Sequence, residues 1–470
     1  MSVLTQTPSS RQVGALIGTA PDSPAGPVSD LNGLRSPPAV GLPRLIQSVW
    51  FGARQADFMF HNRRRFGDVW SASAYVRGRP VSVCHPDHVR SIFTAPPELV
   101  PSLASESPLA PVLGPNSTLT ANPPRHLPQR KLLLPPFHGE AIARYEAMIA
   151  RATEREIDSW PVGRPFALAP RMQAITLDVI MSGIFGIDGG PKRGTVEDRL
   201  RRAIRRLNSG ARLPGAKLAE WMNLGHEEPF GFLKLALIIP DRCLFAVISK
   251  RRREADLEER TDIMSLIMRA RTEEGRPLSD RELRDELMTL VLAGHETTAH
   301  QLAWAWERLV RSPQAHERLV EAVRAGEEAD AVVEATLNEA LRSRPVIPLV
   351  GRRVQSAWRL GDYGVPADTA VAVSILLLHH REDVYPDPYA FRPERWDGVK
   401  PGTYELIPFG GGTRRCLGAA LAMAEMRVVL RAMAQRLDLE AASPEPERPL
   451  HRNVTMLPAR GGRVVIRSRA

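Results

Sequence analysis

The residues most able to do chemistry lie in one short run near the end of the sequence. Phe409, Gly412, Arg414, Cys416 and Gly418 follow the spacing Phe-x-x-Gly-x-Arg-x-Cys-x-Gly. A match at every fixed position of such a pattern is hard to reach by chance. Cysteine is the reactive member, because its thiolate form is both a nucleophile and a metal ligand. The run therefore predicts a cysteine thiolate that binds a metal.

The segments on either side of Cys416 are suited to hold a thiolate. The glycines at 410–412 can adopt positive φ and let another group approach the backbone closely. The apolar run 419–430 predicts a helix, so Cys416 would lie at a helix N-terminus, where N–H groups and the macrodipole lower the pKa of a thiol. The alternative is a glycine-rich turn before a core helix, with an inert buried cysteine. It explains a bare Gly-x-x-x-Cys but not the whole spacing.

The complete motif resembles the cysteine loop of the cytochrome P-450 family of haem-thiolate monooxygenases, and four further motifs of that family occur in the family's order from about Pro37 onward. The resemblance implies haem b (iron protoporphyrin IX) as cofactor, with Cys416 as the iron ligand. Phe409 would shield the sulfur, Arg414 would pair with a porphyrin carboxylate, and Gly418 would belong to the same loop. It also implies the family fold, mainly α with a small β subdomain: an α-helical triangular prism with the haem between the long central helix and the cysteine-loop helix.

A capping box predicts where that central helix begins. Ser279 and Glu282 are spaced to satisfy each other's backbone N–H groups ahead of a long apolar run. Gly294 in its middle costs about 1 kcal/mol relative to alanine, which indicates a flat partner against the helix. Thr297 can donate to the carbonyl of Ala293 and open a notch in the helix.

The resemblance assigns proton delivery to an acid and an alcohol at this notch, here Glu296 and Thr297. The buried character of the preceding run, 287–293, favours this over a solvated Glu-Thr-Thr face. His295 is the tempting metal ligand in the same run. We predict that it does not bind the iron, because the family motif varies there and the thiolate already serves the metal.

Basic residues are expected to bind the porphyrin carboxylates. His126 and Arg130 are four residues apart and share one face of a predicted helix, where each could donate to a carboxylate. The resemblance implies that this pair binds a haem propionate. It assigns the same role to Arg352 on a predicted strand and to His380.

A buried triad is expected to brace the haem loop. Glu339 and Arg342 are three residues apart on one helical face. The resemblance adds Arg395, from the run Phe-Arg-Pro-Glu-Arg-Trp, as the second arginine. Trp396 stands where the family more often has phenylalanine, and we expect this departure to affect packing only.

The substrate pocket is the part that the sequence predicts least well. The Pro-rich stretch 96–124 is long and without regular pattern, and such loops usually have a function. In the resembled family this region roofs the pocket, with a plain surface loop as the alternative. We name Leu113, Ala293, Val350 and Met456 as substrate contacts.

Composition narrows the class of protein. The chain has 470 residues, of which 43% are hydrophobic and 25% charged, as is ordinary for a globular protein. Its three cysteines, Cys84, Cys243 and Cys416, include no Cys-x-x-Cys pair, so neither a disulfide framework nor a zinc site is indicated. We expect a cytoplasmic protein.

The net charge of +10 makes nucleic acid a partner to consider. However, basic clusters such as 201–206 and 250–253 are dispersed, interleaved with acidic residues and without aromatic stacking partners. We interpret them as solvated helix faces and expect no nucleic acid.

Residues 1–40 are rich in Pro, Ser and Gly and carry neither a signal peptide nor a run of eighteen apolar residues. We expect a largely disordered tail at 1–40, a single haem-thiolate monooxygenase domain at 41–470, and no membrane anchor.

Together these features predict insertion of one oxygen atom from dioxygen into an apolar organic substrate. Electrons would come from NAD(P)H through a ferredoxin-type donor and its reductase, docked on a basic patch of Lys131, Arg415, Arg427 and Arg431. A peroxide-driven peroxygenase is the alternative within this fold. A non-catalytic haem-binding sensor or carrier is the alternative from another class.

Overall fold

Helices form most of the described chain, and they follow the apolar periodicity of the sequence. The computed structural model describes residues 22–74, 78–137, 139–210, 214–326 and 328–469. Its α-helices are α1 (Arg44–Ala53), α2 (Gln55–Phe66), α3 (Pro86–Thr94), α4 (Ala110–Leu113), α5 (His126–Leu133), α6 (Glu140–Asp158), α7 (Leu168–Phe185), α8 (Val196–Gly210), α9 (Pro214–Asn223), α10 (Gly231–Arg252), α11 (Ile263–Arg269), α12 (Asp280–Leu309), α13 (Pro313–Ala325), α14 (Ala329–Ser343), α15 (Ile375–Leu378) and α16 (Ala419–Arg436).

The strands are short and form small sheets at the edge of the helical body. They are β1 (Ala25–Pro27), β2 (Val69–Ser71), β3 (Val81–Val83), β4 (Phe166–Ala167), β5 (Leu349–Val354), β6 (Trp358–Leu360), β7 (Tyr363–Val365), β8 (Thr369–Ser374), β9 (Leu437–Ala441), β10 (Pro449–Arg452), β11 (Thr455–Pro458) and β12 (Arg463–Arg469). The sheets have the orders β2-β3-β8-β5, β1-β6-β7, β4-β12-β9 and β10-β11. All neighbours are antiparallel except β3 and β8.

Residues 22–40, which the sequence predicted to belong to a disordered tail, are folded. Strand β1 pairs with β6, with Gly26 opposite Arg359, and Ala39 forms a bridge with Ser71. Residues 22–40 therefore satisfy part of their backbone hydrogen bonding in two sheets. A Pro- and Gly-rich composition does not reveal a pairing partner more than 300 residues away. Residues 1–21 of the predicted tail lie outside the described residues.

Helix α12 runs through the middle of the fold. Its capping box is confirmed: the Ser279 hydroxyl accepts from the Glu282 N–H at 3.2 Å, and the Glu282 carboxylate accepts from the Ser279 N–H at 2.8 Å. The helix packs against α7, α14 and α16, and both Trp304 and Trp306 are fully buried on it. Helix α12 is therefore a buried central element. No described helix is long and apolar enough to cross a membrane.

The predicted acid–arginine cluster lies on α14, below the central helix. Glu339 accepts from Arg342 at 2.7 and 2.8 Å and lies 3.1 Å from the Arg395 guanidinium, and all three side chains are fully buried. Arg342 also donates to the His379 carbonyl at 2.8 Å. Each charge in the cluster has a partner of opposite charge. The pair of Glu339 with Arg395 therefore fixes the segment before the cysteine loop to α14.

The departure at Trp396 has a consequence that the sequence did not predict. Its indole N–H donates to the Glu339 carboxylate at 3.1 Å. Phenylalanine could not make this bond. The expectation that the change affects packing only is therefore wrong.

Replacing Glu339 tests the cluster. Glu339→Gln leaves two buried guanidinium groups without a counter-charge, so we expect the free energy of unfolding to fall by about 3 to 5 kcal/mol. Urea denaturation measures this. Glu334→Gln on the same helix is the matched control, because Glu334 pairs with Arg427 at 3.1 Å while 42% exposed, and such a pair contributes about 1 kcal/mol or less. Equal losses in the two variants would contradict the assignment.

Candidate active site

A cavity of about 2020 Å³ lies between the middle of α12 and the start of α16. Its walls include Ala293 and Thr297 from α12, Cys416 and Leu421 at α16, and Leu113 from the roof. This volume exceeds the several hundred Å³ of an ordinary small-molecule site. The cavity can therefore hold a large planar group and a further ligand together.

The cysteine loop is shaped by close packing against α3. Gly412 has φ of 63°, and a Cβ at this position would lie 1.9 Å from the Phe93 carbonyl oxygen. The Cys416 N–H donates to the Phe409 carbonyl at 2.9 Å and closes the loop. Glycine is required at 412 because of the backbone of α3. The sequence suggested instead that the glycines admit the porphyrin.

The environment of the Cys416 thiol differs from the expectation. Its side chain is open to the cavity but otherwise enclosed by protein. Burial raises the pKa of the Cys416 thiol, while the Gly418 N–H, Arg130 and Arg415 oppose that rise. The predicted lowering by a backbone N–H group is present at Gly418, but burial outweighs it. A bound metal ion deprotonates a coordinating thiol, so ligation does not require a lowered pKa beforehand.

Three arginines and one histidine surround one part of the cavity. Arg352 is buried over the Phe93 ring, and Arg414 donates to Asn122 at 2.7 Å. Burial lowers the pKa of Arg352 to about 10. The pKa of Arg414 is also lowered to about 10, by burial and by the charges of Arg352 and Arg130. Within the described ranges, none of these three guanidinium groups pairs with a carboxylate.

His126 lies beside this cluster on α5. Burial and the charges of Arg414, Arg130 and Arg352 lower the pKa of His126 to about 4, so the imidazole is neutral at pH 7. Its Nδ1 is buried without a hydrogen-bond partner in the described structure. Buried cations and an unsatisfied donor in one wall suit a ligand with two carboxylates.

Two predicted site residues lie elsewhere. His380 is buried, donates from Nδ1 to the Leu376 carbonyl at 2.8 Å and packs on the Phe60 ring, outside the cavity wall. Met456 points into the core of the small sheets, while Thr455 beside it lines the cavity. Side chains alternate along a strand, so a one-residue error exchanges the two faces.

The other predicted substrate contacts do line the cavity: Leu113, Ala293 and Val350. Gly294 lines it too, and a Cβ there would lie 3.0 Å from Ile180 Cδ1 on α7. Packing against a neighbouring helix thus favours a small residue here, although the Ile180 side chain could move aside. His295 faces α7, where its Nδ1 lies 2.8 Å from the Thr176 hydroxyl.

The side-chain bond predicted within α12 is present, and the helix is continuous through it. The Thr297 hydroxyl donates to the Ala293 carbonyl at 2.6 Å, and both Glu296 and Thr297 line the cavity. An unforeseen residue, Arg452 at the end of β10, donates to Glu296 at 2.7 Å. The pair is mostly buried, at 11% and 18% exposure.

The hairpin that carries Arg452 is itself fixed to α12. The Trp304 indole N–H donates to the Met456 carbonyl at 3.0 Å, and the Met456 N–H donates to the Val346 carbonyl at 2.7 Å. Arg452 and Glu296 are 156 residues apart in sequence. No local pattern signals their contact.

The roof is clamped by three consecutive residues of α12 that sequence reasoning missed. Arg284 donates to the Leu113 carbonyl at 3.0 Å, Asp285 accepts from the Asn116 N–H at 3.1 Å, and Glu286 accepts from the Thr118 N–H at 3.1 Å. These contacts hold residues 113–118 over the cavity. Burial raises the pKa of the Glu286 carboxyl to about 7, against the hydrogen bonds from Thr118.

Similar proteins show the class to which this chain belongs. The cytochrome P450 family model matches residues 36–465. "Putative cytochrome P450 138" of Mycobacterium tuberculosis (strain ATCC 25618 / H37Rv) is 37% identical over 95% of this chain and 98% of its own length. "Putative cytochrome P450 135B1" of the same strain is 36% identical over 94% of this chain and 93% of its own.

The chain belongs to the cytochrome P450 family, and it is therefore a haem-dependent monooxygenase that uses dioxygen, an organic substrate and a redox partner. The solved structure titled "Retinoic acid bound cyanobacterial CYP120A1" aligns with a TM-score of 0.78 and 22% identity, covering 93% of this chain and 100% of that one. This likeness confirms the predicted fold class.

The Glu286 carboxyl gives a test in pH. In the folded protein the pKa of Glu286, about 7, lies above its ordinary value of 4.5. Between these values the unfolded chain binds fewer protons, so stability falls as pH rises, by about 3 kcal/mol at most. Glu286→Gln removes this titration. We expect the variant to gain stability relative to wild type from pH 4.5 to 7, measured by urea denaturation across that range.

The control for this titration is Glu321→Gln on the exposed face of α13. It should stay within about 0.5 kcal/mol of wild type at every pH. A stability difference for Glu286→Gln that does not change with pH would contradict the raised pKa.

Proposed function

We propose that this P450 inserts one oxygen atom into an apolar organic substrate, with Cys416 as the iron ligand and Glu296 and Thr297 as the proton-delivering pair. The observation that carries the proposal is one cavity that brings together a cysteine, a group of arginines without carboxylate partners among the described residues, and the Glu296–Thr297 pair of the central helix. Residues from Leu45 to Thr455 line it.

Haem b fits the donor set of this cavity. Cys416 would bind the iron, and Arg130, Arg352, Arg414 and His126 would hold the two carboxylates. The unsatisfied Nδ1 of His126 and the unpaired buried guanidinium groups support this assignment. When bound, a thiolate-ligated haem supplies the activation of dioxygen, since the thiolate donates electron density that favours cleavage of the O–O bond.

Glu296 and Thr297 would handle protons at the cavity wall. The Thr297 hydroxyl is held by the Ala293 carbonyl, which keeps its oxygen at the notch. The Glu296 carboxylate is held by Arg452, which fixes its position and supplies a counter-charge. To pass a proton inward, Glu296 exchanges Arg452 for Thr297 or a water molecule. Arg452 is therefore a positioning residue in this proposal.

The remaining wall determines the substrate class. Leu109, Leu113 and Ile180 meet Leu290 and Val350 around the space above the notch. These side chains have no polar groups to recognise a charged substrate. They favour an apolar molecule, held by shape and by exclusion of water.

The electron donor is proposed as a ferredoxin with its reductase, but the charge argument is weaker than the sequence suggested. Arg427 pairs with Glu334, Arg431 with Asp330, and Lys131 lies 3.7 Å from Glu273. These partners offset most of the expected basic patch locally. Arg415, beside the cysteine, remains in the proposed docking surface. We also propose a cytoplasmic location, with reduced Cys84 and Cys243.

A peroxide-driven peroxygenase and a haem-binding sensor are the competing functions. Glu296 and Thr297 both line the cavity, which favours proton-coupled use of dioxygen over either alternative. Substrate-dependent consumption of NAD(P)H with a redox partner distinguishes the three.

Replacing the three cysteines in turn tests the iron ligand. Cys416→His removes the thiolate, so we expect the red-shifted Soret band of the ferrous carbonyl complex to disappear, as measured by difference spectroscopy. Cys84→Ser and Cys243→Ser should retain the band, because both residues are buried outside the cavity wall. Retention of the band in Cys416→His would exclude Cys416 as the ligand.

Thr297→Ala tests proton delivery. A positioned proton donor typically contributes 10²- to 10⁴-fold, so we expect the rate of product formation to fall by about 10²-fold, with electrons diverted into peroxide. Product and peroxide formed per NADPH measure this. Haem content and substrate affinity should not change. Arg452→Lys should retain coupling and Arg452→Met should lose it; normal coupling in Thr297→Ala would refute the relay.

A further inference from the structure

The cavity face of α12 carries an acidic residue at its roof end that the proposed proton delivery does not use. Glu286, Thr289, Leu290, Ala293 and Thr297 all line the cavity, and their spacing of three and four residues places them on one face of the helix. The eleven residues from Glu286 to Thr297 correspond to about 16 Å along a helix. This face is therefore polar at both ends, with apolar side chains between them.

One carboxylate oxygen of Glu286 has no partner. Oε1 accepts from the Thr118 N–H at 3.1 Å and from the Thr118 hydroxyl at 2.5 Å. Oε2 is buried without a hydrogen-bond partner among the described residues, and the whole side chain is 3% exposed. Burying a charged group is costly unless it is paired and hydrogen-bonded. The ionised form of Glu286 therefore lacks half of the partners that it needs.

The charged side chains around Glu286 do not neutralise it. Arg284, which precedes it by two residues, donates to Asp241 at 2.9 Å and to Asp285 at 3.0 Å. Arg125 is exposed and donates to a backbone carbonyl of the roof at 2.6 Å. Burial raises the pKa of Glu286 to about 7, Asp285 adds to the rise, and Arg125 opposes it together with the hydrogen bonds from the roof. Within the described ranges, no cation forms an ion pair with Glu286.

The hydroxyl groups beside Glu286 offer acceptors only, because a hydroxyl has one hydrogen to donate. Thr118 uses its hydrogen on Oε1 of Glu286. The Thr289 hydroxyl lies 2.6 Å from the Asp285 carbonyl and 2.7 Å from the Ser117 hydroxyl, so its hydrogen is also used within the protein. We define the acceptor patch as Oε2 of Glu286 with the hydroxyl oxygens of Thr118 and Thr289. An ammonium group, with three donors and a positive charge, is complementary to it.

We propose that the acceptor patch binds the protonated amine of an elongated substrate whose apolar chain runs along α12 toward Thr297. The ammonium group would supply the counter-charge that Glu286 lacks, and the chain would lie against Leu290 and Ala293. The inference rests on the proposed function and adds one polar group to its apolar substrate, at the end remote from the oxidised carbon. Glu286 is then a residue that determines specificity.

Other head groups suit the acceptor patch less well. A neutral hydroxyl donates one hydrogen and brings no charge, so it leaves the carboxylate without a counter-ion. A carboxylate on the ligand would place a second negative charge beside Glu286, and like charges oppose binding. The amine is therefore the head group that the patch should select.

Calorimetric titration of the holoenzyme at pH 8 tests this with three ligands that share one chain: dodecylamine, dodecanol and dodecanoate. At this pH Glu286 is ionised, and an alkylamine is protonated, as a lysine side chain with its pKa of about 10.4 is. We expect dodecylamine to bind about tenfold more tightly than dodecanol, because only the amine makes a charged hydrogen bond. Dodecanoate should bind more weakly than either.

Glu286→Gln tests the residue itself, since glutamine keeps an oxygen for the bonds from Thr118 and removes the charge. We expect its affinity for dodecylamine to fall about tenfold, with its affinity for dodecanol within about twofold of wild type. Glu106→Gln is the matched control, because Glu106 lines the same cavity but already pairs with Arg353 at 2.8 Å. It should bind dodecylamine as wild type does. A cooperative unfolding transition shows that each variant is folded.

The Soret band shows which end of the amine reaches the iron. A nitrogen bound to the iron shifts the band to longer wavelength, whereas a chain end that displaces water from the iron shifts it to shorter wavelength. We expect the second shift in wild type. The proposal is overturned by equal affinity for amine and alcohol, by an amine affinity that Glu286→Gln retains, or by a shift to longer wavelength. Calorimetric binding needs no turnover, so its failure leaves the proposed monooxygenation standing, and a failure of monooxygenation leaves the amine preference measurable.

Discussion

The structure depends on one constraint: a space of about 2020 Å³ must stay open inside a protein interior. Interiors normally pack as densely as organic crystals, so apolar walls around such a space tend to close on it. Here the walls are held apart by rigid elements. Helix α12 is capped and buried along its length, and α16 follows a loop fixed by the contact of Gly412 with Phe93.

Buried charged side chains also hold the walls of the cavity in place. Glu339 with Arg342 and Arg395 ties α14 to the segment before the cysteine loop, and Asp285 and Glu286 tie the roof to α12. Each uses a buried charge, which is costly unless every partner is in place. The contacts around the cavity therefore give geometric precision more than they give net stability.

The cations in the cavity wall follow a different logic. Arg352 is buried and Arg414 half-buried, with no carboxylate partner among the described residues, and their lowered pKa values record the cost of placing them there. A ligand with two carboxylates removes the cost. In the proposed haem site, folding of this part of the chain would thus be coupled to the cofactor by electrostatics as well as by Cys416.

Local patterns predicted much of the site, and long-range contacts escaped. The capping box at Ser279 and the Thr297–Ala293 bond follow from spacing within one helix, so sequence suffices. Residues 25–27 pair with β6, which lies more than 300 positions further along the chain. Arg452 contacts Glu296, which is 156 positions away. Resemblance placed His380 in the cofactor site, whereas the structure buries it beside Phe60. The sequence indicates the stretch 453–457 as a pocket element but not which of its side chains faces the cavity: Thr455 lines it, whereas Met456 packs in the core.

The β10–β11 hairpin has two duties at once. Asn453 in its turn and Thr455 at the start of β11 line the cavity, and β10 ends in Arg452, the partner of Glu296. Asn453 has φ of 52°, a turn conformation that asparagine tolerates better than most residues. Evolution therefore cannot remodel this part of the pocket for a new molecule without also disturbing the counter-ion of Glu296. In the proposed function, a change in this hairpin would alter both substrate selectivity and coupling. Positions that can adapt to a new substrate should therefore be sought on the roof instead.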